Sequence, residues 1–248
     1  MDASMGIAGA AALGVALVLM YVVLRKYTYP AVEQPFFSDP SLFILFTVGL
    51  IEGTILFVAF TWVAFPWYST PGLGFLVAVL FGAVMELVKL VTLNLRRYAG
   101  KSDTVFYGFG LGLGMGAAMG FGIIYYLTSR SDLDAASWVI VMVMAVQFIF
   151  LNAGTGLRVG EGVARKKTTE YLMLALFVDM GFQLLMVPTF TFMSLGDDVY
   201  FYSYFTLAAA TILVVVNLYV MVWKKLPGII DDILKSQGKK RNDIPGLD

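Results

Sequence analysis

The sequence predicts an all-α, polytopic membrane protein with seven transmembrane helices, and three observations support this prediction. Of the 248 residues, 59% are apolar and only 14% are charged, whereas a soluble domain is about 25% charged. The mean hydropathy is +0.82. Seven apolar runs can each cross the hydrocarbon core, which takes roughly 20 helical residues. The runs lack the alternating polarity of membrane β-strands, so a helical bundle is expected.

The predicted spans follow one another along the chain and are separated by turn and charge signals. Prolines, charged residues or glycine–aspartate turns occur at 30–40, 66–71, 96–103, 129–134, 158–167 and 196–198. Between these breaks, the spans are placed at 5–24, 42–65, 73–95, 104–128, 136–157, 169–194 and 199–223. Residues 1–225 therefore form the transmembrane domain. Residues 226–248 form a basic tail, with a short amphipathic interfacial helix around Ile229–Leu234 and a frayed end. A contact of this tail with a partner or with anionic lipid is the alternative.

The distribution of basic residues predicts the orientation. The first, third and fifth loops and the tail hold 15 of the 17 lysines and arginines, while the opposite side holds only Arg130. Basic residues concentrate in cytoplasmic loops. The sequence thus predicts an outside N-terminus, a cytoplasmic C-terminus and a multi-pass location in the cell membrane.

The composition excludes several functional classes. The chain has no histidine and no cysteine, which excludes disulfides, thiolate catalysis, the common zinc sites and a Ser-His-Asp triad. The formal net charge is zero, so no positive field attracts nucleic acid. No metal and no cofactor are expected. The expected partners are membrane lipid and another transmembrane protein or further copies of the chain.

Ionisable and amide side chains inside the spans form the candidate site. An ionisable residue within the membrane usually faces the bundle interior or a wet cavity. At 1.5 Å per helical residue, most of these groups fall in one layer between the midplane and the cytoplasmic side. The predicted intramembrane cluster consists of Glu52, Glu86, Lys89, Gln147, Asn152, Asp179 and Gln183.

Within this cluster, the spacing of Glu86 and Lys89 predicts an ion pair, since residues three apart share a helix face. Glu52 and Asp179 have no obvious counter-ion, so they are expected to be protonated or to share a proton. Two interpretations stay open. The cluster fixes helix packing, or it binds a substrate, a proton or water. The candidate catalytic residues are Glu86, Asp179, Glu52 and Asn152.

Span 4 carries a ridge of glycines at every fourth position: Gly108, Gly112, Gly116 and Gly120. Such a ridge lets another helix backbone approach closely. The pattern favours packing within the chain over packing against another subunit, but leaves both open.

The stretch Met85-Glu86-Leu87-Val88-Lys89, with Arg96-Arg97 and the glycine-rich span after it, resembles the core of the PrsW-type glutamate intramembrane proteases. The resemblance covers roughly residues 75–190 and extends to the CAAX prenyl-protein proteases. It implies that Glu86 belongs to a Glu-Glu-x-x-Lys element that opens the active site. Met85 stands where the first glutamate of that element belongs, and the chain has no histidine.

The same stretch is similar to the Aph subunit of gamma-secretase, a relative of these proteases. Aph proteins have seven spans, an outside N-terminus and a Gly-x-x-x-Gly-x-x-x-Gly fourth span. The resemblance places Glu86 at the family's third-span glutamate. It places Asn152 and Asp179 at the two positions where the family carries intramembrane histidines.

Three functions are therefore predicted. The first is a noncatalytic membrane scaffold of intramembrane-protease-like fold that holds a partner helix or lipid through its polar cavity and glycine ridge. The second is an active PrsW-type protease that uses Glu86 or the pair Glu52 and Asp179 as acid and base. The third is a small proton-coupled transporter that uses the same carboxylates.

Overall fold

The computed structural model describes residues 3–129, 133–195 and 200–247, and its regular elements over these ranges are all helical. Seven of the helices are long and apolar enough to cross a membrane, as predicted. They are α1 (Ala3–Leu24), α2 (Asp39–Ala59), α3 (Pro71–Leu93), α4 (Thr104–Thr128), α5 (Ala135–Ala164), α6 (Thr168–Leu195) and α7 (Tyr200–Tyr219), and a shorter helix, α8 (Leu226–Ser236), follows.

The side of the membrane on which each terminus lies stays a prediction. Arg130 and the predicted turn at 196–198, which bear on that prediction, lie outside the described residues.

Two spans continue beyond their regular α-helix through irregular turns. α2 passes into a π-helical turn (Phe60–Ala64) and a 3-10 turn (Phe65–Ser69), and α7 passes through a π-helical turn (Val220–Lys225) directly into α8. A proline lies at the start of the element that follows each π turn, Pro66 in one case and Pro227 in the other. Because proline donates no backbone hydrogen bond and fits the first turn of a helix, a new helical segment begins there.

The predicted end of the fifth span at 157 was wrong, because α5 continues to Ala164. The predicted loop at 158–167 includes Arg158. Its guanidinium instead lies within the bundle, where Nε and Nη2 donate to the Asn217 side-chain oxygen at 3.1 and 2.8 Å. Gly160 also packs against α4, where an added Cβ would lie 2.7 Å from the Thr104 carbonyl oxygen. Tertiary contacts thus extend the helix, and the chain turns at Lys166, whose φ is +58°.

Helix α4 lies at the centre of the bundle. Nearly all of its side chains are buried, and it packs most extensively against α5 and then against α2 and α1. Helices α3, α6 and α7 complete the bundle through the contacts of α6 with both α3 and α7. Large apolar side chains such as Trp62 and Phe177 are exposed on the outside, as expected of a surface that faces lipid.

The glycine ridge of α4 faces α5 of the same chain. A Cβ built on Gly108 would overlap the carbonyl oxygen of Gly156, and one on Gly112 would overlap that of Asn152. At Gly116, the added Cβ would lie 2.6 Å from the Ile149 Cα. The ridge is therefore occupied by α5 and is not a free surface.

A second small-residue face of α4 packs against α2. The predicted ridge of glycines at every fourth position does not include this face. A Cβ on Gly114 would overlap the Phe46 carbonyl oxygen, and one on Gly49 of α2 would overlap the Leu111 carbonyl oxygen. On α2, Gly53 would place a Cβ 2.6 Å from the Met115 carbonyl oxygen. Close backbone approach on two sides explains why α4 holds so little side-chain volume.

The tail forms the predicted amphipathic helix, α8, but its end is not frayed. α8 buries Ile229, Ile230, Ile233 and Leu234. Beyond it, the Arg241 guanidinium lies 3.8 Å from the Phe36 ring centroid and donates to the Gln34 carbonyl oxygen at 2.6 Å. Asp243 accepts two hydrogen bonds from the same guanidinium. These contacts fold the tail back onto the loop between α1 and α2.

Candidate functional site

The centre of the candidate site is the predicted ion pair on α3. The Lys89 Nζ lies 2.6 Å from the Glu86 Oε1, and both side chains are 0% exposed. Lys89 also donates to the Thr155 hydroxyl of α5 at 2.7 Å. A buried charge pair is tolerated only when its hydrogen-bonding capacity is well satisfied, and Thr155 supplies part of that requirement.

Asp179 of α6 brings a second carboxyl group to the pair. Its side chain is fully buried and lies close to that of Glu86. Gln183, one turn later, donates to the Asp179 Oδ1 at 3.2 Å. The space for this side chain comes from Gly82 of α3, where an added Cβ would lie 3.2 Å from the same oxygen. The packing of α3 on α6 is therefore built around the carboxyl contact.

One oxygen of each carboxyl group is left without a partner. The Glu86 Oε2 and the Asp179 Oδ2 are both buried, and neither receives a hydrogen bond from any described residue. Two ionised carboxylates close together in a dry interior would repel each other strongly, and one proton held between them would remove that repulsion. It would leave one negative charge for the Lys89 ammonium to neutralise.

Glu52 lies beside this centre and does not pair with Lys89. Thr92 of α3 donates to the Glu52 Oε1 at 2.6 Å, while the Oε2 has no donor among the described residues. The Glu52 carboxyl group lies within electrostatic range of the Lys89 ammonium. Glu52 therefore joins the cluster through a neutral hydroxyl bridge between α2 and α3.

Asn152 and Gln147 of α5 are buried but make separate contacts. The Asn152 amide nitrogen donates to the Phe148 carbonyl oxygen of its own helix at 2.9 Å. Gln147 donates to the Leu207 carbonyl oxygen and to the Thr211 hydroxyl of α7 at 3.0 and 2.6 Å. The structure thus joins Glu86, Lys89, Asp179 and Gln183 directly, attaches Glu52 through Thr92, and places Gln147 at another interface.

Two threonines complete the cluster and are not among its predicted members. Thr92 lies three residues after Lys89, and Thr155 lies three residues after Asn152. This spacing puts each on the helix face of a predicted member, a signal from which both could have been identified. Threonine by itself is a weak signal, because its hydroxyl commonly bonds to its own helix.

The cluster connects α2, α3, α5 and α6, and the side chains at its centre are buried. Glu86, Lys89, Asn152, Thr155, Asp179 and Gln183 are each 0% exposed. The arrangement can hold a proton between Glu86 and Asp179 and can fix the mutual positions of α3, α5 and α6. In this conformation, neither solvent nor a substrate reaches the carboxyl groups.

Comparison of the chain with known protein families, with curated proteins and with solved structures found no match in any of the three.

Proposed function

We propose that this chain is a noncatalytic membrane scaffold that holds the transmembrane helix of a partner protein. The observation that supports this proposal most directly is the complete burial of Glu86, Lys89 and Asp179. Peptide hydrolysis needs a base, a group that polarises the carbonyl, and access for water. Here Glu86 is paired with Lys89 and packs beside Asp179. Lys89 donates to Thr155, and Asp179 accepts from Gln183, so both partners of Glu86 are also bonded within the bundle.

The two alternatives require an opening of the bundle. An active PrsW-type protease needs a polar cavity that admits water and a peptide to the carboxyl pair. A proton-coupled transporter needs a wet path from the pair to each face of the membrane. A scaffold needs neither, since a closed polar cluster specifies which helix faces pack together.

The partner surface of the proposed scaffold is not the glycine ridge, because α5 occupies it. A lipid-facing groove of about 400 Å³ lies instead between α5 and α7. Its walls are apolar, and Gln147 is its main polar residue together with Thr211. The lining residues are Trp138, Val139, Met142, Val143, Val146, Gln147, Phe150, Thr211, Val214 and Val215.

Gln147 favours a protein helix over a lipid as the occupant. Its side-chain oxygen receives no hydrogen bond from the described residues and is buried, so a donor in the groove would reach it only once the Gln147 amide turns toward the groove. Gln147 lies about 18 Å along α5 from Ala135, at 1.5 Å per residue, which is near the middle of a hydrocarbon core of about 30 Å. Lipid hydroxyl groups lie at the headgroups. A donor at this depth therefore comes from a polar side chain on another transmembrane helix.

The catalytic part of the proposal is tested by incubating the purified protein with a panel of transmembrane and prenylated peptides, with and without divalent metal. We expect no cleavage. The matched variants are Glu86→Gln and Asp179→Asn, and cleavage by the parent that either substitution abolishes would establish a protease. A parallel assay in proteoliposomes measures proton flux, and a flux that Asp179→Asn removes would establish a transporter.

The partner surface is tested by placing a photo-crosslinking amino acid at Val143 in the groove or at Ile55, an exposed control position on α2. We expect a protein adduct from Val143 and none from Ile55, and we expect Gln147→Leu to remove the adduct. Equal adducts at both positions, or no effect of Gln147→Leu, would rule out the groove. An adduct of twice the mass of the chain would identify a second copy as the partner.

A further inference from the structure

A second site lies at the end of the bundle where loops and tail meet. It is a groove of about 730 Å³ between the loop before α2, the loop before α4 and the end of α8 with the following tail. Lys101, Lys239 and Lys240 line it, and none of the three forms an ion pair with another described residue. Asp103 is the one carboxylate in the lining, and its side chain already accepts a hydrogen bond from the Tyr107 hydroxyl at 2.9 Å.

The groove is held in shape by the docked tail. Arg241 ties the tail to the Gln34 carbonyl oxygen, and the Gln237 amide reaches the Gly100 carbonyl oxygen at 3.4 Å. Lys239 and Lys240 thereby line the same groove as Lys101, although they are more than 100 residues apart in sequence. Three free ammonium groups on a preformed concave surface favour an anion with several oxygens.

Two helix N-termini lie at the groove, each beside a carboxylate: Asp39 in the first turn of α2 and Asp103 at the N-cap of α4. The N-cap residue of α2 is Ser38 and that of α4 is Asp103, and both line the groove. The N-terminus of a helix carries a partial positive charge and unpaired N–H groups. Because α2 and α4 are membrane spans, the groove lies at the depth where lipid headgroups are found.

An apolar groove adjoins the basic one along the membrane-facing side of the bundle. It has a volume of about 400 Å³ and lies between α1 and α2. Most of its lining is apolar, including Leu17, Met20, Leu42 and Phe43, and Arg25 and Asp39 also line it. Phe37 lines both grooves. A phosphoryl group over the lysines and an acyl chain between α1 and α2 would occupy both grooves, a match that a free phosphate ion does not offer.

We infer that these adjoining grooves bind one anionic phospholipid, with its phosphoryl group on Lys101, Lys239 and Lys240. The site is separate from the buried cluster and from the groove between α5 and α7. It ties the tail to the membrane surface, because the lipid neutralises lysines that belong to the tail and to a loop between spans.

The test is a titration of the full chain in a non-ionic detergent with dioctanoyl phosphatidylglycerol. Dioctanoyl phosphatidylcholine and inorganic phosphate are separate arms. We expect the anionic lipid to bind at least about tenfold more tightly than either control ligand. No binding of the anionic lipid would overturn the inference. Equal binding of inorganic phosphate would overturn the assignment to a lipid and leave a site for a free phosphoryl group.

Two pairs of matched variants locate the site. The triple variant K101Q/K239Q/K240Q should lose affinity for the anionic lipid by a factor on the order of a hundred. The control K26Q/K167Q/K224Q removes the same charge elsewhere and should stay close to the parent. Leu17→Trp should weaken binding of the lipid, whereas Val18→Trp, at the neighbouring exposed position outside the groove, should not. Equal losses in the two members of either pair would overturn the site.

Discussion

At the scale of single residues, the buried charge of Lys89 is the most demanding feature of the chain. Its ammonium group is 0% exposed and bonds to Glu86 and to Thr155. An ion pair of this kind contributes little net stability compared with apolar residues of the same shape, because both charges lose their hydration. Removal of one partner is costly, since the remaining charge is then buried alone.

Replacing Lys89 by Met is therefore expected to destabilise the fold by about 3 kcal/mol, since it leaves Glu86 and Asp179 with an uncompensated charge. The measurement is the unfolding midpoint in detergent by circular dichroism. The double variant Glu86→Gln/Lys89→Met removes both charges and should recover part of the loss. A midpoint for Lys89→Met equal to that of the parent would contradict the role of the pair.

A second residue-scale prediction concerns the tail, outside the membrane. Hydrogen bonds from Arg241 lower the pKa of Asp243 from its ordinary value of 3.8. A carboxyl with a lowered pKa in the folded state stabilises that state above its ordinary pKa, and the contribution is lost as the pH falls through the lowered value. Docking of the tail should therefore weaken below about pH 3.8 and should already be weak at neutral pH in Asp243→Asn.

Hydrogen exchange of residues 237–247 measures this docking. The control is Asp231→Asn on α8, which removes a carboxylate that pairs with Lys235 of the same helix and not with residues 237–247. Protection that is the same in Asp243→Asn and in the parent at neutral pH would show that Asp243 does not hold the tail.

At the scale of elements, the stability of α4 depends on close packing that its glycines, which have no side chains, make possible. Its glycines weaken an isolated helix by roughly 0.5–1 kcal/mol each relative to alanine, so the helix depends on its neighbours. α5 packs on one glycine face and α2 on another, in both cases with backbone atoms where a side chain would otherwise lie. Close packing of backbones replaces the hydrophobic effect, which is absent between helices in lipid.

Gly112→Ala should destabilise the protein by roughly 2 kcal/mol, because the overlap with the Asn152 carbonyl oxygen outweighs the gain in helix propensity. Gly14→Ala in α1 is the matched control, since an added Cβ there meets nothing within 4 Å. That control should be neutral or slightly stabilising. Thermal unfolding of both variants in one detergent measures the difference. Equal unfolding midpoints for the two variants would show that Gly112 is not needed for the packing of α4 on α5.

At the scale of the whole molecule, the seven spans divide the loops and the tail between two faces. The docked tail, the loop before α2 and the loop before α4 gather on one of them, as the groove that all three line shows. This gathering places Lys101, Lys239, Lys240 and Arg241 together in space. The charge bias of the loops predicts that this face is cytoplasmic.

We expect the tail to be cytoplasmic and the turn between α2 and α3 to be outside. Because the chain contains no cysteine, single cysteines at Asn242 and at Ser69 can report each side. A membrane-impermeant maleimide should label Ser69→Cys in intact cells and Asn242→Cys only after the membrane is opened. The reverse labelling pattern would show that the orientation is opposite to the predicted one. Labelling of both cysteines in intact cells would contradict the five spans, α3 to α7, that separate them.

Much of the candidate site could be predicted from the sequence because its members share helix faces. The spacing of Glu86 and Lys89 predicts their pairing in any helix, and depth along each span brings Asp179 to the same layer. The separate position of Gln147 could not be predicted, since helical rotation about the axis decides which neighbour a side chain meets. The same rotation decides that Thr155, and not Asn152, receives the bond from Lys89.

The sequence by itself determined that the chain is a membrane bundle of seven helices, because span length and apolarity are local properties set by the thickness of hydrocarbon. It also determined the glycine ridge and the buried ion pair, which depend only on spacing along one helix. Only the tertiary structure decided what each face meets: α5 on the ridge, Asp179 on Glu86, and the tail on the loop that carries Phe36. The physical reason is that the apolar surface of a helix gains little by exchanging lipid for another helix. Which helices of the chain pack together therefore depends on close packing and on polar contacts between segments far apart in the sequence.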